Sequence, residues 1–228
     1  MLRSHDDALL QDGTIRLWDV NSGKSIKALG SMGWAAINAI SLGETGSSVF
    51  GQLHPDGEDH PAVSVSQASA FLDPREVDTT GKVVFAALQN GSFEIFDLGT
   101  KNSVHKCDVG KRALNAISYS APQDLLVTGS ADGVVTVFDT RQLSMPLTSF
   151  ARNRASIEDL GIREYTAEGE VVVVTEDGSP YIVGVRPDGP QVNAELIGSD
   201  CDVVRMVRVA ENGGIWTAGD DGIVRKYF

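Results

Sequence analysis

Five short segments of this chain share one layout: "DGTIRLWDV" (12–20), "NGSFEIFDL" (90–98), "DGVVTVFDT" (132–140), "DGSPYIVGV" (177–185) and "DGIVRKYF" (221–228). Each opens on Asp-Gly or Asn-Gly, the pair that most readily takes the positive backbone angles of a tight hairpin turn. The turn glycines are Gly13, Gly91, Gly133, Gly178 and Gly222, so the successive gaps are 78, 42, 45 and 44 residues. Three gaps share one period, and the odd one is that period plus about 35 residues. A repeat of this length confines the chain to an array of similar units that bury their faces against one another.

Each unit can be filled in from its flanks. Before the turn lies a β-rich run: "KVVFAAL", "DLLVTGS", "EVVVVTE" or "GGIWTAG". Before that comes another: "INAISLG", "LNAISYS", "IEDLGIR" or "VVRMVRV". After the turn strand follows a fourth: "SIKALGS", "SVHKCDV", "PLTSFAR" or "NAELIGS". The valine runs are too short and too β-branched to suit helices. Four short strands per period of about 40–45 residues is the blade pattern of a WD40 propeller.

The expected fold is therefore all-β: a partial WD40-type β-propeller of about four four-stranded blades plus a leading strand. The segment 12–20 ends a blade whose earlier strands are mostly missing, so residues 1–228 read as the C-terminal part of a seven-bladed ring. Standing alone, such a chain is expected to have open sheet edges that associate or aggregate. Five residues past the turn glycines stand Trp18, Phe96, Phe138, Val183 and Tyr227, four of them aromatics large enough to pack between blades.

The last third, "ELIGSDCDVVRMVRVAENGGIWTAGDDGIVRKYF" (195–228), resembles the C-terminal end of the proteasomal ATPase-associated factor family. The resemblance continues in "PREVDTTGKVVFAALQNGSFEIFDLGTKNS" (74–103) and in "DGTIRLWDVNSGKSIKALGSMGWAAINAISLG" (12–43), with the insertion that follows. The family carries further blades and an N-terminal segment ahead of this point. It implies a non-enzymatic assembly chaperone of the proteasome's 19S regulatory particle, working in the cytoplasm and nucleus. Such a protein binds the C-terminal domain of a base ATPase subunit and holds back premature docking on the 20S core. A generic WD40 interaction scaffold in another complex is the alternative.

Charge bears on partners. The chain has 31 acids against 19 Lys and Arg, a net −12. That argues against nucleic acid and anionic membranes, and it favours either a basic partner or plain solubility. No apolar run reaches the length of a membrane helix, and the first residues carry no signal-peptide core, so an intracellular protein is expected. Cys107 and Cys201 show neither metal spacing nor a disulfide framework. No P-loop, nucleophile elbow or zincin motif occurs. No cofactor, metal or catalytic group is expected.

Blade geometry suggests where a partner would sit. Turns between second and third strands, and the loops leading into each inner strand, are expected on one face. Asp132, Glu176, Asp177, Asp220 and Asp221 lie in such turns, and Asp200 and Asp202 in a lead-in loop. Together they would form an acidic rim for a basic partner. Asp before Gly is also ordinary turn chemistry, which gives Asp132, Asp177 and Asp221 a structural reading. Trp34 is either an aromatic anchor on the first lead-in loop or a core residue. Lys111, Arg112, Arg152 and Arg154 interrupt the acidic face in the middle units.

The insertion, residues 44–80, carries net −6 and no convincing period, and is read as a flexible acidic loop within the first full blade. Its His54, Asp56, Asp59 and His60 fit no zinc spacing.

Overall fold

The computed structural model describes residues 12–20, 22–44, 79, 81–100, 102–164, 169–186 and 188–228. Residues 45–78 of the insertion, with His54, Asp56, Asp59 and His60, lie outside them.

Among the described residues every regular element is a strand, and every pairing is antiparallel. Strands β1 (Thr14–Asp19) and β2 (Lys24–Gly30) form a two-stranded sheet. Three four-stranded sheets follow. The first holds β3 (Ile37–Glu44), β4 (Lys82–Leu88), β5 (Ser92–Asp97) and β6 (Asn102–Asp108). The second holds β7 (Leu114–Ser120), β8 (Leu125–Ser130), β9 (Val134–Asp139) and β10 (Pro146–Ala151). The third holds β11 (Ile157–Arg163), β12 (Glu170–Thr175), β13 (Tyr181–Arg186) and β14 (Gly189–Glu195). Strands β15 (Val204–Val209), β16 (Ile215–Gly219) and β17 (Val224–Tyr227) make a three-stranded sheet. The leading strand thus pairs with the run after it, and the last unit has three strands rather than four.

Strand order within each sheet is sequence order, and the inner strands β3, β7, β11 and β15 pack side by side in turn. This is a partial β-propeller of WD40 type. Its core is four slabs between successive sheets. Ile15 and Leu29 meet Val84, Ala86, Leu88 and Phe96. Val83, Phe85 and Phe93 meet Leu114, Leu126 and Phe138. Val127, Val135 and Val137 meet Ile157, Val171, Val173 and Val183. Val172, Val174 and Ile182 meet Val204, Val207 and Ile215. Because a central strand is covered on both faces, "EVVVVT" carries four valines in a row, Val171 and Val173 facing one slab and Val172 and Val174 the other. The outer strands have one covered face, and β14 is open along nearly its whole length.

The residues five past each turn glycine divide. Phe96, Phe138 and Val183 are buried between sheets, and Tyr227 packs against the last slab. Trp18, on the two-stranded sheet, is 48% exposed.

Candidate protein-interaction face

The turn glycines show which loops share a face. Each has positive φ, and four of the five are pressed against a lead-in loop. A Cβ on Gly91 would stand 2.3 Å from the Gly110 carbonyl oxygen and 2.7 Å from that of Arg112. On Gly133 it would meet Arg154 and the Ala155 carbonyl at 2.7 Å, on Gly178 the Asp202 carbonyl at 2.5 Å, and on Gly13 the Ala35 carbonyl at 2.9 Å. Backbone bonds fasten the same joints: Ser31 N–H donates to Gly13 O (2.7 Å) and Val109 N–H to Gly91 O (3.0 Å). Tight turns and lead-in loops therefore lie together on one face.

The lead-in loops are also in register. Ile37, Leu114, Ile157 and Val204 open the inner strands, each buried. Three residues before them stand Trp34, Lys111, Arg154 and Cys201, all exposed. Immediately after them come Asn38, Asn115, Glu158 and Arg205. At that position every inner strand carries a register shift against its neighbour, between Ile37 and Ala39, Leu114 and Ala116, Ile157 and Asp159, and Val204 and Met206. A bulge re-aims the extra residue, and here it sends polar side chains across to the next sheet. Asn38 Nδ2 donates to Leu114 O and to Gln89 Oε1 (both 2.9 Å). Asn115 Nδ2 donates to Ser156 Oγ (3.0 Å), and Arg205 Nη1 to Glu158 Oε2 (2.8 Å). A chain of hydrogen bonds thus stitches inner strand to inner strand.

The sequence-predicted acids fare differently. Asp132 accepts from Ser130 Oγ (2.6 Å), and Asp177 from Thr175 Oγ1 (2.6 Å), Ser179 N–H (3.2 Å) and Asn153. Both do turn work. Asp220 is forked by Arg205 (2.8–3.2 Å), and Asp221 pairs with Arg225 (2.5 Å). Glu176, Asp200 and Asp202 are exposed, and no ion pair within 4.0 Å engages them among the described residues. Asp200 adds only a minor attraction to Arg225, which is held protonated mainly by its bond to Asp221. Trp34 is 70% exposed rather than in the core, its ring lying over Gly30.

These environments set opposite titration behaviour. The Arg205 and Arg225 guanidiniums hold the Asp220 and Asp221 carboxyls below the ordinary aspartate value of 3.8. Burial pushes Asp159 above it, against the bonds it accepts from Val207 N–H (3.0 Å) and Arg208 (2.8 Å). Asp220 and Asp221 therefore contribute stability above pH 3.8 that is lost as pH falls through the lowered values. Asp159 works the other way, its ionisation costing stability as pH rises from 3.8 through its raised value. Carboxyl-detected NMR is expected to place Asp220 and Asp221 below 3.8 and Asp159 above it. The reverse order would contradict these pairings.

Two features escaped sequence reasoning. The bulge residues could have been found by aligning the four inner runs on Ile37, Leu114, Ile157 and Val204. Glu94, fully buried in β5, offered no such signal: its carboxylate accepts Met32 N–H (3.0 and 3.1 Å), with Lys106 3.7 Å away. Among the described residues no group of three His, Cys, Asp or Glu side chains could hold a metal ion.

No family model matches the chain. A protein of Dictyostelium discoideum described as "Probable proteasomal ATPase-associated factor 1" is 24% identical to it over 164 residues, 68% of this chain. The chain spans 38% of the length of that relative.

Proposed function

We propose that this propeller is a non-enzymatic assembly chaperone of the proteasome's 19S regulatory particle. It binds the C-terminal domain of a base ATPase subunit and holds back premature docking on the 20S core, in the cytoplasm and nucleus. The observation that carries the reading is the likeness, distant but spread over two thirds of the chain, to a protein named for association with proteasomal ATPases. The exposed carboxylates of Glu176, Asp200 and Asp202 on the turn-and-loop face supply a surface of the right sign for a basic partner.

Affinity capture from cell extract tests the reading: base ATPases should co-purify without the 20S core. Stable capture of unrelated complexes instead would favour a general WD40 scaffold. With an isolated ATPase C-terminal domain, Asp200→Lys/Asp202→Lys is expected to slow association several-fold, because rim charges act mostly on encounter rate. Each exposed charge is worth only about 0–1 kcal/mol, so the double change exceeds either single one. The parent's rate should fall with salt as the Debye length shrinks below about 10 Å. A salt-independent rate, unchanged in the folded double variant, would remove this surface from the account.

A further inference from the structure

The same face holds a second sector of opposite character. Its first lead-in loop is built with unusual support. Trp34 and Met32 are 70% and 52% exposed, yet the loop beneath them is tied down by hydrogen bonds. Trp34 N–H donates to Ser31 O (3.1 Å), and Ser31 Oγ to Ala35 O (2.8 Å). Met32 N–H is gripped by both oxygens of Glu94, a carboxylate with 0% exposure in the middle of a sheet. Burying a carboxylate is costly unless it is bonded and paired. Here it secures a loop whose apolar side chains face water. A rigidly held, exposed aromatic is what a binding anchor requires, because little freedom is then lost on contact.

The neighbouring loops say what the anchor serves. At the register position of Trp34, the next two loops carry Lys111 and Arg154, with Arg112 beside Lys111. All three are exposed, and none has a carboxylate within ion-pairing distance among the described residues. Arg152, by contrast, is paired with Glu195. In a chain of net −12, Lys111 and Arg112 on the loop after the apolar anchor, and Arg154 on the loop after that beside the Asp132 turn, shift the charge of this sector toward positive.

We infer that this sector binds an acidic peptide segment bearing a bulky apolar residue. The apolar residue seats against Trp34 and Met32, and the acids meet Lys111, Arg112 and Arg154. The inference goes beyond the ATPase-chaperone reading and does not depend on it, because it uses other residues and a partner of opposite charge.

The test is fluorescence anisotropy with the full chain and a short labelled peptide in which Asp and Glu flank a central Leu-Phe pair. Two control peptides replace the acids by Lys, or Leu-Phe by Gly-Gly. The acidic apolar peptide should bind, and both controls should bind at least about tenfold more weakly. Trp34→Ala and Lys111→Glu/Arg112→Glu should each weaken binding about tenfold or more, the scale of an interface hot spot. Both alter exposed side chains, so circular dichroism should be unchanged. Trp34→Phe should retain most of the binding. Asp200→Lys/Asp202→Lys should leave it intact or tighten it, whereas that variant is the one expected to impair ATPase association. No binding at millimolar peptide, equal binding of the Lys-substituted peptide, or indifference to both Trp34→Ala and the Lys111/Arg112 change would overturn the inference.

Discussion

Gly91→Ala is expected to lower the stability of the fold by roughly 2–5 kcal/mol, while Gly23→Ala costs about 1–2 kcal/mol. Both glycines hold left-handed backbone, at φ 85° and 66°. Both therefore pay the conformational term for gaining a Cβ. They differ in surroundings. A Cβ on Gly23 meets nothing within 4 Å, whereas on Gly91 it runs into the backbone carbonyls of Gly110 and Arg112. Those carbonyls belong to the lead-in loop of the next sheet and cannot swing aside as a side chain would. The turn must lift away, breaking the bonds from Val109 and Gly110 to Gly91 O. Urea titration of the two variants separates the terms: the difference between their midpoints reports the crowding. Equal midpoints would mean that the turn does not lean on the loop in solution.

The second large effect belongs to Glu94. A backbone donor left without its acceptor typically costs about 1–3 kcal/mol, and Glu94→Ala is expected in that range. It leaves Met32 N–H without its acceptor and Lys106 without its counter-charge. Glu94→Gln keeps one acceptor oxygen and the shape, so it should recover part of the loss. Thermal unfolding gives the magnitude, on a scale of about 2–4 °C per kcal/mol for a chain of this size. Amide exchange gives the mechanism, since Met32 should lose protection in the Ala variant before the strands do. A Met32 amide protected as well in Glu94→Ala as in the parent would show that the carboxylate does not hold the loop.

Much of the architecture was legible because turn chemistry and strand burial leave local marks. Asp-Gly and Asn-Gly pairs located the turn between second and third strands in every sheet from β3 onward, and the doubly covered β12 announced itself as a run of four valines. The structural reading of Asp132 and Asp177 was legible for the same reason, since their bonds stay within two residues or cross to the adjoining loop. Asp220 and Asp221 looked alike in sequence and equally available. That Arg205 occupies Asp220 from fifteen residues away depends on strand pairing that no local pattern records, whereas Arg225 stands four residues past Asp221 and repeats the spacing of Asp12 and Arg16. Glu94 hid because an acid in an apolar strand has no period to betray its partner on a loop sixty-two residues upstream. Trp34 stood open between anchor and core, and only the packing of its loop set it outside. The bulged column was harder to see, since two Asn, a Glu and an Arg share a place and only their polarity.

That column has a consequence for how such a chain can change over time. The polar stitching between inner strands falls at one position of each strand, while the side chain offered to the outside stands four residues earlier. The two columns never overlap. One can drift through aromatic, cation and thiol, as Trp34, Lys111, Arg154 and Cys201 do, without disturbing the other. Each sheet is then a cassette with a fixed mortise and a replaceable label, and a new vocabulary of contacts can be written on the rim one label at a time.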